Sequence, residues 1–263
     1  MSYAVFLDID NTLTGPGVGI PDINRRAVAR ARELGHQVFI NTGRSLHHIP
    51  WSLLGDMRFD GVIAALGASI RYGETDLRTR LIDPDTVVRL VEYFNGRGVA
   101  VYLEGIHDVL QIGIFPDQPN RFKGPADGEA LREAAERILV SKLSIVRPLL
   151  PEEEEFIRPL LVYNHKTYSE THFPDCNKAE AMLALAAHLG FSREQCIAMG
   201  DSANDLEMLE AAGHSVIVGD AREDLKKRAE FVACDARYGS VADGLAHYIP
   251  EMREFSVSGR TAF

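Results

Sequence analysis

The feature that most constrains this chain lies at its start. Tyr3-Ala4-Val5-Phe6-Leu7 has the apolar, β-prone character of a buried strand, and it runs straight into Asp8-Ile9-Asp10-Asn11-Thr12. Ionised carboxylates at the end of a buried strand are costly to leave without a partner. A positive group, such as a cation, is therefore expected beside Asp8 and Asp10. Asp and Asn also commonly occupy strand-to-helix turns, so this motif alone leaves a plain capping role open.

A second cluster near the other end narrows the choice. Cys196-Ile197-Ala198-Met199-Gly200 reads as another short apolar strand. It ends in Asp201-Ser202-Ala203-Asn204-Asp205, and a helical pattern follows in which Leu206 and Leu209 share a side. An N-cap with acids in a helix's first turn accounts for one such Asp, but not for two matched clusters. In open α/β sheets functional residues gather at the carboxyl ends of strands, so two acidic strand tips can converge on one divalent cation. Magnesium is the natural expectation, because it takes hard oxygen ligands and binds through one or two carboxylates plus substrate phosphate.

These two clusters resemble the first and fourth motifs of the haloacid dehalogenase-like superfamily, Asp-x-Asp-x-Thr and Gly-Asp-x-x-Asn-Asp. The resemblance implies that Asp8 is the nucleophile that takes up a phosphoryl group. Asp10 is then the acid/base that protonates the leaving oxygen and activates water. The second aspartate favours phosphoryl transfer over dehalogenation within that superfamily. Asp8, the Asp10 backbone carbonyl and Asp201 are the implied metal ligands, with Asp205 either a further ligand or, with Asn204, a residue that arranges the outer shell and the bound phosphate.

The two middle motifs complete the set. Gln37 to Asn41 reads as a strand ending in Thr42-Gly43-Arg44, which resembles the second motif, where a threonine hydroxyl and the following amides hold a phosphate oxygen. Gly43 permits close backbone approach to an anion, and a helix starting after it would aim free N–H groups at the phosphate. Arg44 reads equally as a solvated charge or an ion-pair partner. Asn177-Lys178-Ala179 resembles the third motif, with Lys178 as the cation that stabilises charge on nucleophile and phosphoryl group. A lone lysine is usually surface, but the order of Lys178 between the second and fourth motifs argues for catalysis. Asn11 stands where many relatives have Gly, and suits a turn that tolerates left-handed φ; Asp220 stands where Asn is expected.

The four motifs span about Tyr3 to Tyr248, with a long insert between the second and third, which marks the superfamily's second cap class and is most similar to its Cof-type sugar-phosphate phosphatases. Strand and helix periods alternate at both ends of the chain, as in a Rossmann-like doubly wound parallel sheet. The core is expected from residues 1–82 and 175–263, and an α+β cap on an antiparallel sheet from 83–174. The run Glu152-Glu153-Glu154-Glu155 after Pro151 reads as a helix start rather than a metal site. Cap candidates for specificity are Glu104, His107, Asp108, Arg121, Lys123 and Tyr163. His47 and His48 lie near the site by chain position but read as helix-surface residues, and Ser256 to Phe263 reads as a loose tail.

Composition adds exclusions. A chain of 263 residues buries roughly three quarters of its unfolded surface. Its three scattered cysteines lack metal spacing and suit a reducing, cytoplasmic setting, with Cys176, beside the Lys178 region, an inert small residue. No signal peptide, membrane-spanning run or basic tract is present. A net charge of −10 argues against binding nucleic-acid backbone. The expected protein is a magnesium-dependent phosphatase of small phosphorylated metabolites, chiefly sugar phosphates, with Thr42, Gly43, Lys178 and Asn204 on the phosphate. The alternatives are a phosphomutase on the same site and a metal- or phosphate-binding regulator without turnover.

Overall fold

The computed structural model describes residues 1–115, 118–125 and 128–257, and the side chains of all of these except 115 and 118–123. Strand β1 (Ala4–Leu7) is buried along its whole length, and its residues alternate between two cores. Val5 and Leu7 pack with Ala27, Val28 and Ala31 of helix Asp22–Glu33 and with Val241 and Leu245 of helix Ser240–Tyr248. Ala4 and Phe6 face Ala181, Met182 and Leu185 of helix Lys178–His188 and Met208 and Leu209 of helix Leu206–Ala211. A period-two strand with both faces apolar requires cover on both sides. The doubly wound layering expected above is what that cover produces.

The sheet continues through β2 (Gln37–Asn41), β3 (Gly61–Ala64), β4 (Ser69–Tyr72) and β5 (Thr75–Thr79) on one side of β1. The insert then contributes β6 (Val101–Gly105), β7 (Val109–Phe115), β8 (Gln118–Lys123), β9 (Val140–Ile145), β10 (Leu161–Asn164) and β11 (Ser169–His172). Strands β12 (Cys196–Gly200), β13 (His214–Ile217) and β14 (Phe231–Val232) complete the first sheet on the other side of β1. The core order is β14-β13-β12-β1-β2-β3-β4-β5. Pairing is parallel from β14 to β3 and antiparallel through β4 and β5. Strand β5 is exposed and mostly polar, so no apolar run announces it in the sequence.

A separate sheet, ordered β10-β11-β9-β6-β7-β8, is antiparallel throughout. Val87, Leu90, Val91 and Phe94 of helix Pro84–Asn95, with Leu131, Ala135 and Ile138 of helix Gly128–Ile138, pack on it as a third core. The first of these helices starts as its sequence directs, with Pro84 after an Asp83 whose carboxylate accepts the Thr86 amide (3.0 Å). Of the four consecutive glutamates, Glu153 alone is buried, bonded through both oxygens to Arg147 (2.6 and 2.8 Å), while the others stay exposed at a short helix start. The tail expectation changes in part. Val257 is buried and its amide donates to Asp243 (2.8 Å), whereas 258–263 lie outside the described residues. Among the described residues no helix is long and apolar enough to cross a membrane.

Candidate active site

Strands β12, β1 and β2 are neighbours in the sheet, so Asp201, Asp8 and Thr42, each one residue past its strand, emerge side by side at the carboxyl edge. Asp8 is tied in register by its amide, which donates to the Met199 carbonyl (3.0 Å). The chain then turns sharply, with Asn11 at φ 56°, a left-handed setting that Asn tolerates better than most residues. This matches the turn expected at that position.

Lys178 enters from the opposite direction as the first residue of its helix, just after Asn177, whose side chain caps the Glu180 amide (2.7 Å). An ammonium at a helix N-terminus is opposed by the helix dipole, so local helix stability does not explain it. Its charge is met instead by Asp8 Oδ1 (2.7 Å) and Asp205 Oδ1 (2.6 Å), all three residues being buried. The other oxygen of Asp205 accepts from the Asp201 amide (3.1 Å), the Ser202 amide (3.0 Å) and the Ser202 hydroxyl (3.1 Å). Both Asp205 oxygens are thus engaged in bracing the fourth-motif turn. The carboxylates of Asp8, Asp201 and Asp205 each bring an oxygen within 4.8 Å of the others.

Three carboxylates around one ammonium leave the cluster short of positive charge. Burial pushes the Asp8 carboxyl well above its usual range, Lys178 opposes the rise, and Asp205 and Asp201 add to it. Burial, then Asp205, pushes Asp201 up to about 7. Lys178 is held well above the ordinary lysine range by Asp205 and Asp8 despite its burial. A divalent ion matches the deficit of charge, and an all-oxygen donor set suits a hard cation. The residues present therefore fit a metal site.

Asp10 stands apart from this cluster. Its carboxylate forms a two-pronged pair with the Arg44 guanidinium (Nε 2.6 Å, Nη2 2.8 Å), and Arg44 also donates to the His48 carbonyl (3.1 Å). Of the two readings of Arg44, the ion-pair partner is the one observed. Thr42 is buried and its Oγ1 accepts the Arg44 amide (3.2 Å). At Gly43 a β-carbon would stand 3.1 Å from Glu170 Oε2 and 3.5 Å from Asn204 Nδ2, so the glycine permits close packing against a carboxylate of the second sheet. Asn204 donates to Glu170 Oε1 (3.0 Å), and its Oδ1 stands 2.8 Å from the Ser202 hydroxyl, whose one proton it shares with Asp205.

Asp8, Asp10, Thr42, Gly43, Arg44, Asp201 and Asn204 line a cavity of about 840 Å³ whose opposite wall comes from the second sheet, with Lys178 and Asp205 buried behind Asp8. Of the cap candidates, Glu104 lines it, whereas Tyr163 does not: its ring stacks on His172 at 4.5 Å. His107 and Asp108 are exposed, and the side chains of Arg121 and Lys123 lie outside those described. His48 is exposed, as a surface residue is, but it lies in a turn and not on a helix, and its Nδ1 stands 3.1 Å from Glu104 Oε2, joining core to cap. Asp220 lies away from the cavity and accepts the Ala236 amide (3.1 Å). Cys176 is buried, and burial raises its thiol, as an inert role requires.

Residues that sequence reasoning passed over are Tyr102, Lys142, Ser144, His165, Tyr168 and Glu170, all on the cavity wall. A signal for part of this set was present. Tyr102 and Glu104 alternate with apolar Val101 and Leu103 on β6, and Lys142 and Ser144 flank apolar Leu143 on β9. That period marks one polar face on a sheet whose other face is core.

A sequence model described as haloacid dehalogenase-like hydrolase matches residues 5–245. The chain is 26% identical over 247 residues to the 5-amino-6-(5-phospho-D-ribitylamino)uracil phosphatase YcsE of Bacillus subtilis (strain 168), covering 93% of this chain and 95% of that one. It is 26% identical over 267 residues to the pyridoxal phosphate phosphatase YbhA of Escherichia coli (strain K12), covering 90% and 95%. Among solved structures, the HAD subclass IIB sugar phosphatase BT4131 shares the fold with a TM-score of 0.77 at 24% identity, covering 94% of this chain and 99% of the other.

Proposed function

The chain belongs to the haloacid dehalogenase-like hydrolases, as a Cof-type phosphatase of subclass IIB architecture, and from that premise we propose a magnesium-dependent phosphomonoesterase acting on sugar phosphates and similar metabolites through a phosphoaspartate on Asp8. The observation that carries this reading is the buried Lys178 ammonium shared by Asp8 and Asp205 beside Asp201. Such a group holds the Asp8 oxygen in place and meets charge on a phosphoryl group beside it.

In the proposed reaction an Asp8 oxygen attacks phosphorus in line as the bond to the leaving oxygen breaks, and Asp10 gives that oxygen its proton. Asp10 then takes a proton from water, which attacks phosphorus and releases phosphate and the Asp8 carboxylate. Arg44 holds the ionised Asp10 through its two-pronged pair, and one prong opens when Asp10 carries the proton. Thr42, the Gly43 backbone, Asn204 and Lys178 hold the phosphate oxygens. Asp8 and Asp201, with the Asp10 carbonyl, would hold the magnesium, and Asp205 braces them. When bound, magnesium supplies positive charge that offsets the oxygens of the transferring group.

Residues 1–82 and 175–263 act as the catalytic body in this reading, and 83–174 as the cap that selects the leaving group. Support comes from the cap's own core and from the cavity wall it contributes. The phosphatases of a ribitylaminouracil phosphate and of pyridoxal phosphate among the relatives set the range of leaving groups to test. Phosphate release should be followed across a panel of sugar and cofactor phosphates, with chelator and then with magnesium restored. Activity is expected to vanish and return, with sugar phosphates leading; chelator-resistant hydrolysis would refute the metal requirement.

A further inference from the structure

Lys142 lies on the cap, yet one of its bonds ends in the core. Its side chain is 5% exposed; the ammonium donates to Glu170 Oε2 (2.9 Å) and to the Gly43 carbonyl (2.7 Å), and Glu104 Oε1 pairs with it at 3.2 Å. The two glutamates are themselves fixed. Glu104 accepts from the Ser144 hydroxyl (2.5 Å), and Glu170 Oε1 stands 2.8 Å from His165 Nε2. Burying an ammonium is expensive unless it is fully paired, and packing of the cap alone does not call for an ammonium there.

The Gly43 carbonyl and the Arg44 amide belong to one planar peptide. The carbonyl receives Lys142, and the amide donates to Thr42 Oγ1 (3.2 Å). Drawing electron density toward the carbonyl strengthens the amide as a donor. With Oγ1 accepting there, the Thr42 hydroxyl has its proton to give to an anion in the cavity. Resting on the phosphatase reading above, we propose that Lys142 is a positioning residue for phosphate binding, fixing from the cap the Gly43–Arg44 peptide and, through it, the Thr42 hydroxyl. The cap thereby sets the grip on phosphate as well as the shape of the leaving-group pocket.

The test uses inorganic phosphate and 4-nitrophenyl phosphate with the full chain and saturating magnesium. Lys142→Met is expected to raise the inhibition constant of phosphate and the KM for the ester together, each about tenfold, the loss of one charge-assisted hydrogen bond. The kcat should stay within about threefold, because the grip is common to ground and transition states. Where Lys142→Met fails to fold with two glutamates unbalanced, Lys142→Met with Glu170→Gln keeps the local net charge and leaves an amide oxygen for Asn204. The same tenfold loss is expected of it. A lysine that only supports the cap would leave the phosphate constant at its wild-type value, and that result, or recovery of the wild-type constant in the double variant, overturns the proposal. A wild-type protein that neither hydrolyses the ester nor binds phosphate instead removes the phosphatase reading, and the role of Lys142 with it.

Discussion

Two buried ion clusters face each other across the cavity, and they are displaced in opposite directions. In the cap cluster, burial alone would raise Glu104, but Lys142, His48 and Ser144 outweigh it and bring the carboxyl down to about 2. Glu170 is likewise held well below the usual range by Lys142 and His165 against burial. In the core cluster the balance reverses, and burial with mutual repulsion lifts Asp8 and Asp201 although Lys178 is in contact with Asp8. One cluster is settled by its own partners, while the other holds carboxylates ready for a cation. The direction of displacement, more than burial itself, separates a structural network from a reactive one.

The strongest way to break this contrast is to remove charge from the core cluster. Asp8→Asn is expected to lower kcat at least a thousandfold, a barrier increase of about 4 kcal/mol or more, because it deletes the proposed attacking oxygen. In chelator the same change should leave the melting temperature equal or higher, since it removes a strained carboxylate. Phosphate release and a thermal melt check both arms. Retention of more than about a tenth of wild-type kcat would dismiss Asp8 as the nucleophile. Lys178→Ala is expected to cost about 100- to 1000-fold in kcat, measured in single turnover so that chemistry is separated from binding. A slower chemical step supports catalysis, whereas weaker binding alone reduces Lys178 to recognition.

Most of the core cluster was legible because strand tips and motif order are local facts. Asp8, Thr42 and Asp201 each follow an apolar run, and a parallel sheet brings such ends together. Lys178 was legible by order alone, since no periodicity distinguishes it from a surface lysine. The cap cluster was legible only in part, since Glu104 stood among the cap candidates but its meeting with Lys142 and Glu170 did not show. Glu104, Lys142 and Glu170 are separated by 28 to 66 positions and meet only through the register of β6, β9 and β11, where Glu104 pairs with Lys142 and Glu170 with Ser144. Register depends on tertiary pairing, and strands such as β5 and β11 are too short and polar to announce themselves.

A smaller effect sharpens the contrast from the cap side. Glu104→Gln keeps the shape of the side chain but removes the charge that pairs with Lys142, and it should destabilise the protein by about 2–3 kcal/mol. The expected drop in melting temperature is opposite to the response of Asp8→Asn in chelator. Equal changes from both substitutions would show that the two clusters are energetically alike.

An effect of similar size, read as a difference, concerns pH. Asp201 is raised to about 7 and Asp8 is also raised, so the folded chain without metal binds more protons than the unfolded chain between about pH 4 and 7. The stability that these groups contribute is fully present below their unfolded values and is lost as pH rises through the folded ones. One such proton corresponds to about 1.4 kcal/mol per pH unit. Glu104 and Glu170 have the other sign: their contribution is present above their unfolded range and disappears only in strong acid. Burial also lowers His36, which works against stability in mild acid, so the wild-type slope alone is a mixture. The informative quantity is the difference between wild type and Asp201→Asn, melted in chelator at pH 5 and pH 7.5. Asp201→Asn should gain more at pH 7.5 than at pH 5, and magnesium should reverse the wild-type deficit by binding the ionised cluster. A difference that does not change with pH would mean that Asp201 is already settled without a cation, and the contrast between the two clusters would not hold.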